Sequence, residues 1–329
     1  SGRLSNKSEA IRLVDARGNP VDEVHYFDGG RWPEFADGGG SSLELRNPNA
    51  DNSKPESWAA SDESSKSNWQ TFTIRQTASA DTGPIIWHEL DVGLLDSGQI
   101  LIDDVSVLKN PGGAAQQLIQ NGSFESDVIG GEAAKWRFVG NHHGTVIVDP
   151  TDPSNQVVKL VATGPTSSLH NHGETTFIGN VPVINGVEYE ISFRAKWLRG
   201  SNQFNTRFYV TRVGETSLLD VAHDNGTPGT INSSWETNTG PTYTDFGHYP
   251  VLPANQQDTT VTVIADDPDG VAAMMLKWSI DGGSLNNTTM TSLGNGFYTG
   301  TIPGQPPSTI IQFYVEGQDS LGAISTFPA

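Results

Sequence analysis

The chain has 329 residues, longer than one sandwich domain of roughly 100–150 residues, so two or three domains are expected. Gly 36 and Pro 19 against only 17% charged residues describe many short strands joined by tight turns and leave little room for amphipathic helices. The formal net charge of -19 disfavours nucleic acid and anionic membrane surfaces and favours cations, while zero cysteines excludes disulfides and thiolate metal sites.

No run of about 18 apolar residues occurs, so no membrane insertion is expected. The opening SGRLSNKSEAIRLVD has no apolar signal core, which places any export signal outside this sequence. Ile11 to Val14 already reads as strand with nothing before it to pair with, and the chain is therefore expected to be a fragment of a larger protein.

The first elements are AIRLVD and VDEVHYF, joined by a turn from Asp15 to Pro20 in which Gly18 supplies a positive φ. LSNKSEAIRLVDARGNPVDEVHY, the Trp32-Pro33 pair, ADGGGSSLEL and DNSKPESWAAS together resemble the C-terminal half of a lamin-tail domain. That resemblance implies an immunoglobulin-like sandwich over residues 1–61, lacking the family's first strands. SDESSKSN then reads as a polar linker.

Strand candidates follow in NWQTFTIRQTAS, WHELDVGLL, GQILIDDVSVL, VVKLVAT, TTFIGNV, VEYEISFRAKW and NTRFYVTRV. From Val187 to Trp197 the alternation is unbroken: Val187, Tyr189, Ile191, Phe193, Ala195 and Trp197 share one face, which marks Trp197 as core. NGSFES and ILIDDVSV resemble the opening and closing strands of the galactose-binding-like jelly roll of carbohydrate-binding modules, with the closing strand coming first. One circularly permuted jelly roll over residues 68–222 explains this order; the tail of one module followed by the head of another is the alternative.

Residues 223–254 read as an extended linker, rich in Gly, Pro, Asn and Thr. The strands of 255–329, with MMLKWSIDGG and TIIQFYVEGQD among them, resemble an immunoglobulin- or fibronectin III-like module. The expected fold class is all-β, as tandem antiparallel β-sandwiches. The order of modules resembles the region upstream of CotH-kinase-like domains in large bacterial, planctomycete-type exported proteins, which implies an extracellular or cell-surface location.

The jelly-roll resemblance implies calcium on Asp103 and Glu125, with Asp149 or Asp152 completing an oxygen shell; strand-end carboxylates meeting only water are the alternative. Asp266, Asp267 and Asp269 are a second calcium candidate, or an ordinary Asp-Pro-Asp-Gly turn. His170 and His172, with His143 or Glu174 as third ligand, are a transition-metal candidate, against solvent-facing or mutually bonded histidines. Trp87, Trp136, Phe204 and Tyr209 are candidates for stacking on sugar rings, against a place in the core.

No catalysis is expected. Asp103 and Asp104 are adjacent and so face opposite ways in a strand, no serine lies in G-x-S-x-G, and no phosphate loop is present. The Asn-x-Ser/Thr sequons are expected by chance in such a chain. The expected function is a non-catalytic module binding polysaccharide or cell-surface glycan with structural calcium. The alternative is a spacer or assembly module whose partners are neighbouring domains or another copy of the chain.

Overall fold

A computed structural model describes residues 4–79, 88–167, 169–208 and 212–328. Period-two alternation dominates the sequence, and strands are accordingly the only long elements; among the described residues helical structure is limited to 3-10 turns such as Ile178–Asn180. No helix is long and apolar enough to cross a membrane among the described residues. The chain forms two compact units, one of residues 1–33, 44–59 and 230–329, the other of 34–43 and 60–229.

In the first unit β1 (Ser8–Val14) and β2 (Pro20–Phe27) pair as a hairpin. Its turn forms as expected: Gly18 has φ +84, and Asp15 Oδ1 accepts from the amides of Arg17 at 2.8 Å and Asn19 at 2.9 Å. Ile11, Leu13, Val14, Val21 and Phe27 of this hairpin are exposed. β3 (Leu43–Leu45) and β4 (Trp58–Ala60) make a short second pair.

The second unit is a jelly-roll-like sandwich. Its strands are β5 (Gln70–Thr77), β6 (Glu89–Leu94), β7 (Gly98–Lys109), β8 (Gln116–Gln117), β9 (Trp136–Val139), β10 (His142–Asp149), β11 (Asp152–Ala162), β12 (His172–Thr176), β13 (Glu188–Gly200), β14 (Gln203–Phe208) and β15 (Gly214–Leu218). One sheet runs β10-β11-β7-β13-β5, with β8 beside β7; the other runs β15-β14-β6-β12-β9. A single core runs from Ile74 to Ala222, and Tyr189, Ile191, Phe193, Ala195 and Trp197 of β13 all lie in it. Burying each of the larger of these side chains contributes about 1.5–3 kcal/mol.

The strands on both sides of the KNPGGAAQQ junction therefore share two sheets and one core. The NGSF segment lies directly across β7: Val105 N donates to Gly122 O at 2.9 Å, and a Cβ on Gly122 would stand 1.9 Å from Val105 O. Residues 34–43, from the stretch resembling a lamin tail, belong to this unit too. Gly200 N donates to Gly39 O at 2.7 Å, and a Cβ on Gly40 would meet the Trp197 ring at 2.7 Å.

The rest of the first unit is a second sandwich of β16 (Thr242–Tyr249), β17 (Thr259–Asp266), β18 (Val271–Ile280), β19 (Asn286–Thr289), β20 (Thr291–Gly294), β21 (Phe297–Ile302), β22 (Ile311–Asp319) and β23 (Ile324–Phe327). Its sheets run β16-β17-β21-β20 and β19-β18-β22-β23 around Tyr243, Val263, Leu276, Trp278 and Val315. β16 falls within the expected linker 223–254. Its alternation is masked by a bulge between Thr244 and Gly247, yet Tyr243 is buried and its hydroxyl lies 2.9 Å from Ser325 O.

Candidate functional site

In the five-stranded sheet Leu90, Val92 and Leu94 of β6 and Phe204 and Phe208 of β14 point into the core, so the intervening residues stand on the outer face. Arg137 pairs in register with Glu174, Glu174 with Asp91, and Asp91 with Arg207. Four strands thus contribute one cross-strand row of charges. Arg137 Nε donates to Glu174 Oε1 at 2.6 Å, and Arg207 Nε stands 3.7 Å from Asp91 Oδ2. In the next row Asn205 stands opposite Gly93 and Thr216, and its Oδ1 accepts from Arg207 at 2.7 Å.

A loop covers one end of this face. Thr166 N donates to Leu94 O at 2.7 Å, and Thr166 Oγ1 donates to Asn171 O at 2.7 Å. A Cβ on Gly93 would stand 2.5 Å from Thr166 Oγ1 and 2.8 Å from His142 Nε2, so only glycine leaves room for that loop. His142, 0% exposed, accepts from Leu94 N through Nε2 at 3.0 Å, and its Nδ1 faces Asn141 Oδ1 at 2.6 Å. Both ring nitrogens are satisfied by the neutral ring. Burial, reinforced by the charges of His172 and Arg207, holds its pKa down to about 4.

His172 opens β12 with Nδ1 at 2.8 Å from Ser167 O and Nε2 at 2.8 Å from Glu174 Oε2. Asp91 beside it is 0% exposed, and neither of its oxygens accepts a hydrogen bond. Burial pushes its pKa up to about 7 against the opposing charges of His172 and Arg207. Burial works against the charged form of His172, but the bond to Glu174 and the nearness of Asp91 raise its pKa, while the same bond lowers that of Glu174.

The expected ligand residues are scattered by comparison. His143 and His170 are both exposed, and His143 sits on β10 of the other sheet, so neither joins His172. Asp103 and Asp149 are buried and share Asn155 Nδ2, at 3.1 and 3.4 Å. Arg194, however, ion-pairs with Asp103 and with Asp104, at 2.8 Å for the latter, and so supplies the positive charge beside them. Glu125 is exposed and accepts from Gln156 N at 3.2 Å; Asp152 is exposed and bonds Ser154 within its own loop. Asp267 and Asp269 come together with Asp319, which the sequence did not single out, and Asp267 Oδ1 accepts from Asp269 N at 2.8 Å as a turn requires; Asp266 is exposed at the end of β17.

Two of the four sugar-stacking candidates are corrected. Trp136 is 6% and Phe204 1% exposed; Phe204 packs edge-on against Phe193, and Trp136 Nε1 donates to Asn121 O at 2.6 Å. Their rings fill the core because register sets Trp136 opposite Thr175, which is also buried, and places Phe204 inward with Leu94. Trp87 and Tyr209 lie outside the described residues. Sequence reasoning missed Arg137, Asp91, Asn205 and Arg207. The one signal was a lone acid between Leu90 and Val92 in an otherwise apolar run.

No curated protein matches the chain. Among solved structures, a Br derivative of BhCBM56 is 15% identical over 28% of this chain and 88% of that one, at a TM-score of 0.21. A pullulanase from Bacillus acidopullulyticus is 11% identical over 80% of this chain and 34% of its own length, at a TM-score of 0.17. Scores this low carry no argument about the fold. Residues 116–244, which include β9, β12 and β14 of the outer face, match the family model described as a carbohydrate binding domain.

Proposed function

We propose that the jelly roll is a non-catalytic module that binds polysaccharide or cell-surface glycan on the outer face of its five-stranded sheet, within an extracellular or cell-surface protein. The observation that supports this most is the coincidence of the carbohydrate-binding family match with a sheet face that carries two carboxylates, Glu174 and Asp91, between two guanidinium donors, Arg137 and Arg207. Sugar hydroxyls both donate and accept, so guanidinium and carboxylate groups held by one another suit them. Arg137 is the exposed member and Glu174 is half-buried, whereas Asp91 and Arg207 are buried. Among the described residues of this unit no Phe, Tyr or Trp ring is largely exposed, and the sequence candidates Trp87 and Tyr209 lie outside the described residues.

The test is binding of the full chain to a panel of soluble and insoluble polysaccharides, comparing Arg137→Ala, Trp87→Ala and Tyr209→Ala. Saturable binding that weakens at least about tenfold in Arg137→Ala supports the outer face. Binding that all three variants retain moves the site elsewhere, and absence of binding to every polysaccharide refutes the reading. A structural role, as spacer or assembly module, is favoured by one observation, the hairpin of β1 and β2 with its exposed Ile11, Leu13 and Val21. Concentration-dependent self-association lost in Leu13→Lys supports that second reading.

A further inference from the structure

The Asp91, His172 and Glu174 cluster contains a buried carboxylate that no hydrogen bond satisfies. One ligand atom from each residue lies within 4.8 Å of the others, so small side-chain shifts bring all three within metal–ligand bonds of about 2.0–2.2 Å of a common centre. Ser167 O, 2.8 Å from His172 Nδ1, can only accept, so Nδ1 carries the proton and the neutral ring turns the lone pair of Nε2 toward the two carboxylates. This is the arrangement in which a carbonyl behind a histidine orients it for metal binding. Nε2 meets Glu174 Oε2 at 2.8 Å, acceptor against acceptor unless a proton or a cation lies between them. Asp91 adds an independent sign: it is fully buried, faces this cluster, and accepts no hydrogen bond at either oxygen.

We propose that Asp91, His172 and Glu174 together hold one divalent transition-metal ion of the zinc class against the outer face of the five-stranded sheet. One imidazole and two carboxylates suit a borderline cation such as zinc, manganese or cobalt better than a soft one. The flanking arginines hydrogen-bond neither Glu174 Oε2 nor Asp91, although Arg207 Nε stands 3.7 Å from Asp91 Oδ2. Arg137 engages Glu174 Oε1 and spares Oε2, while Arg207 is occupied by Asn205 Oδ1 at 2.7 Å and Thr166 Oγ1 at 3.3 Å. Their charge opposes a cation and sets the affinity below that of an all-anionic site. The competing occupant is a proton shared between His172 and the carboxylates.

The experiment uses the chelator-treated full chain and no sugar, so its outcome is independent of glycan binding. Cobalt(II) is titrated while visible ligand-field absorption is followed, and zinc is titrated in thermal melts. One cobalt per chain, displaced by zinc, with a zinc-dependent rise in Tm, is the expected result. Glu174→Gln and His172→Gln weaken binding by about tenfold or more, whereas the His143→Ala, His170→Ala double variant binds like the parent. Glu174→Gln keeps its shape at a half-buried position, so it reports even if His172→Gln does not fold. No cobalt absorption and no zinc shift would assign the cluster to a shared proton. Binding retained without His172, or lost with His143 and His170, would assign the metal to exposed histidines; either result overturns the proposal.

Discussion

His142→Gln gives a quantitative test of the loop that closes over the outer face. The neutral ring is held by Leu94 N and Asn141, and its pKa falls from 6.5 to about 4. At about 1.4 kcal/mol per pKa unit this shift corresponds to about 3 kcal/mol. Because the folded-state pKa is depressed, the unfolded chain takes up a proton as pH falls below 6.5 while the folded chain refuses it until about 4. The contribution is therefore complete above pH 6.5 and is lost as pH falls toward 4. Glutamine can accept from Leu94 N through its side-chain oxygen but does not titrate, so the parent should lose about 3 kcal/mol more than the variant across this window. Denaturant unfolding at stepped pH measures the difference, in the transition of the two-unit protein that the substitution moves. The NMR titration of His142 should have its midpoint near 4. A midpoint in the ordinary histidine range, or parallel pH profiles for parent and variant, would refute the reasoning.

Phe204→Ala should lower stability by about 3–5 kcal/mol in chemical denaturation, as truncation of a core ring does, and a variant that folds normally yet loses only sugar binding would contradict its burial. Gly122→Ala forces a Cβ to 1.9 Å from Val105 O on a strand pinned from both sides, so little soluble protein is expected on expression. Arg194→Ala leaves the Asp103 carboxylate buried without its ion pair and should cost about 2 kcal/mol, discounted because Arg194 is itself about a third exposed. With Arg194 in place, a calcium-selective chelator should leave the melting midpoint of the parent unchanged; a drop of several degrees would restore calcium at Asp103 and Asp149.

Much of the fold can be read along the chain because strands announce themselves locally. Val187 to Trp197 carries the alternation on its face, and the Asp15 to Pro20 turn follows from the need for a positive φ at Gly18. β16 escaped because its bulge shifts the alternation and because it is surrounded by turn-forming residues. The candidate site is a different problem. Arg137, Glu174, Asp91 and Arg207 come from four strands, and each alone looks like the polar half of an alternating pattern; only strand order puts them in one row. His170 and His172 have the spacing of one strand face, but His170 lies before β12 begins, so spacing alone could not show that His172 bonds Glu174 on the outer face while His170 stays apart.

Strand order also dictates how this protein can be cut. A fragment of residues 116–244, chosen on the family match, would contain β11 and β13 without β7, the strand that pairs with both. It would likewise contain β12 and β14 without β6 between them. Each sheet would be split down its middle, exposing backbone amides and carbonyls along four inner edges and opening the core at Leu90, Val92, Ile100 and Ile102. A piece able to behave as an independent molecule must therefore begin upstream of β6, and ribosomal synthesis must deliver the central strands of both sheets before the strands that will flank them.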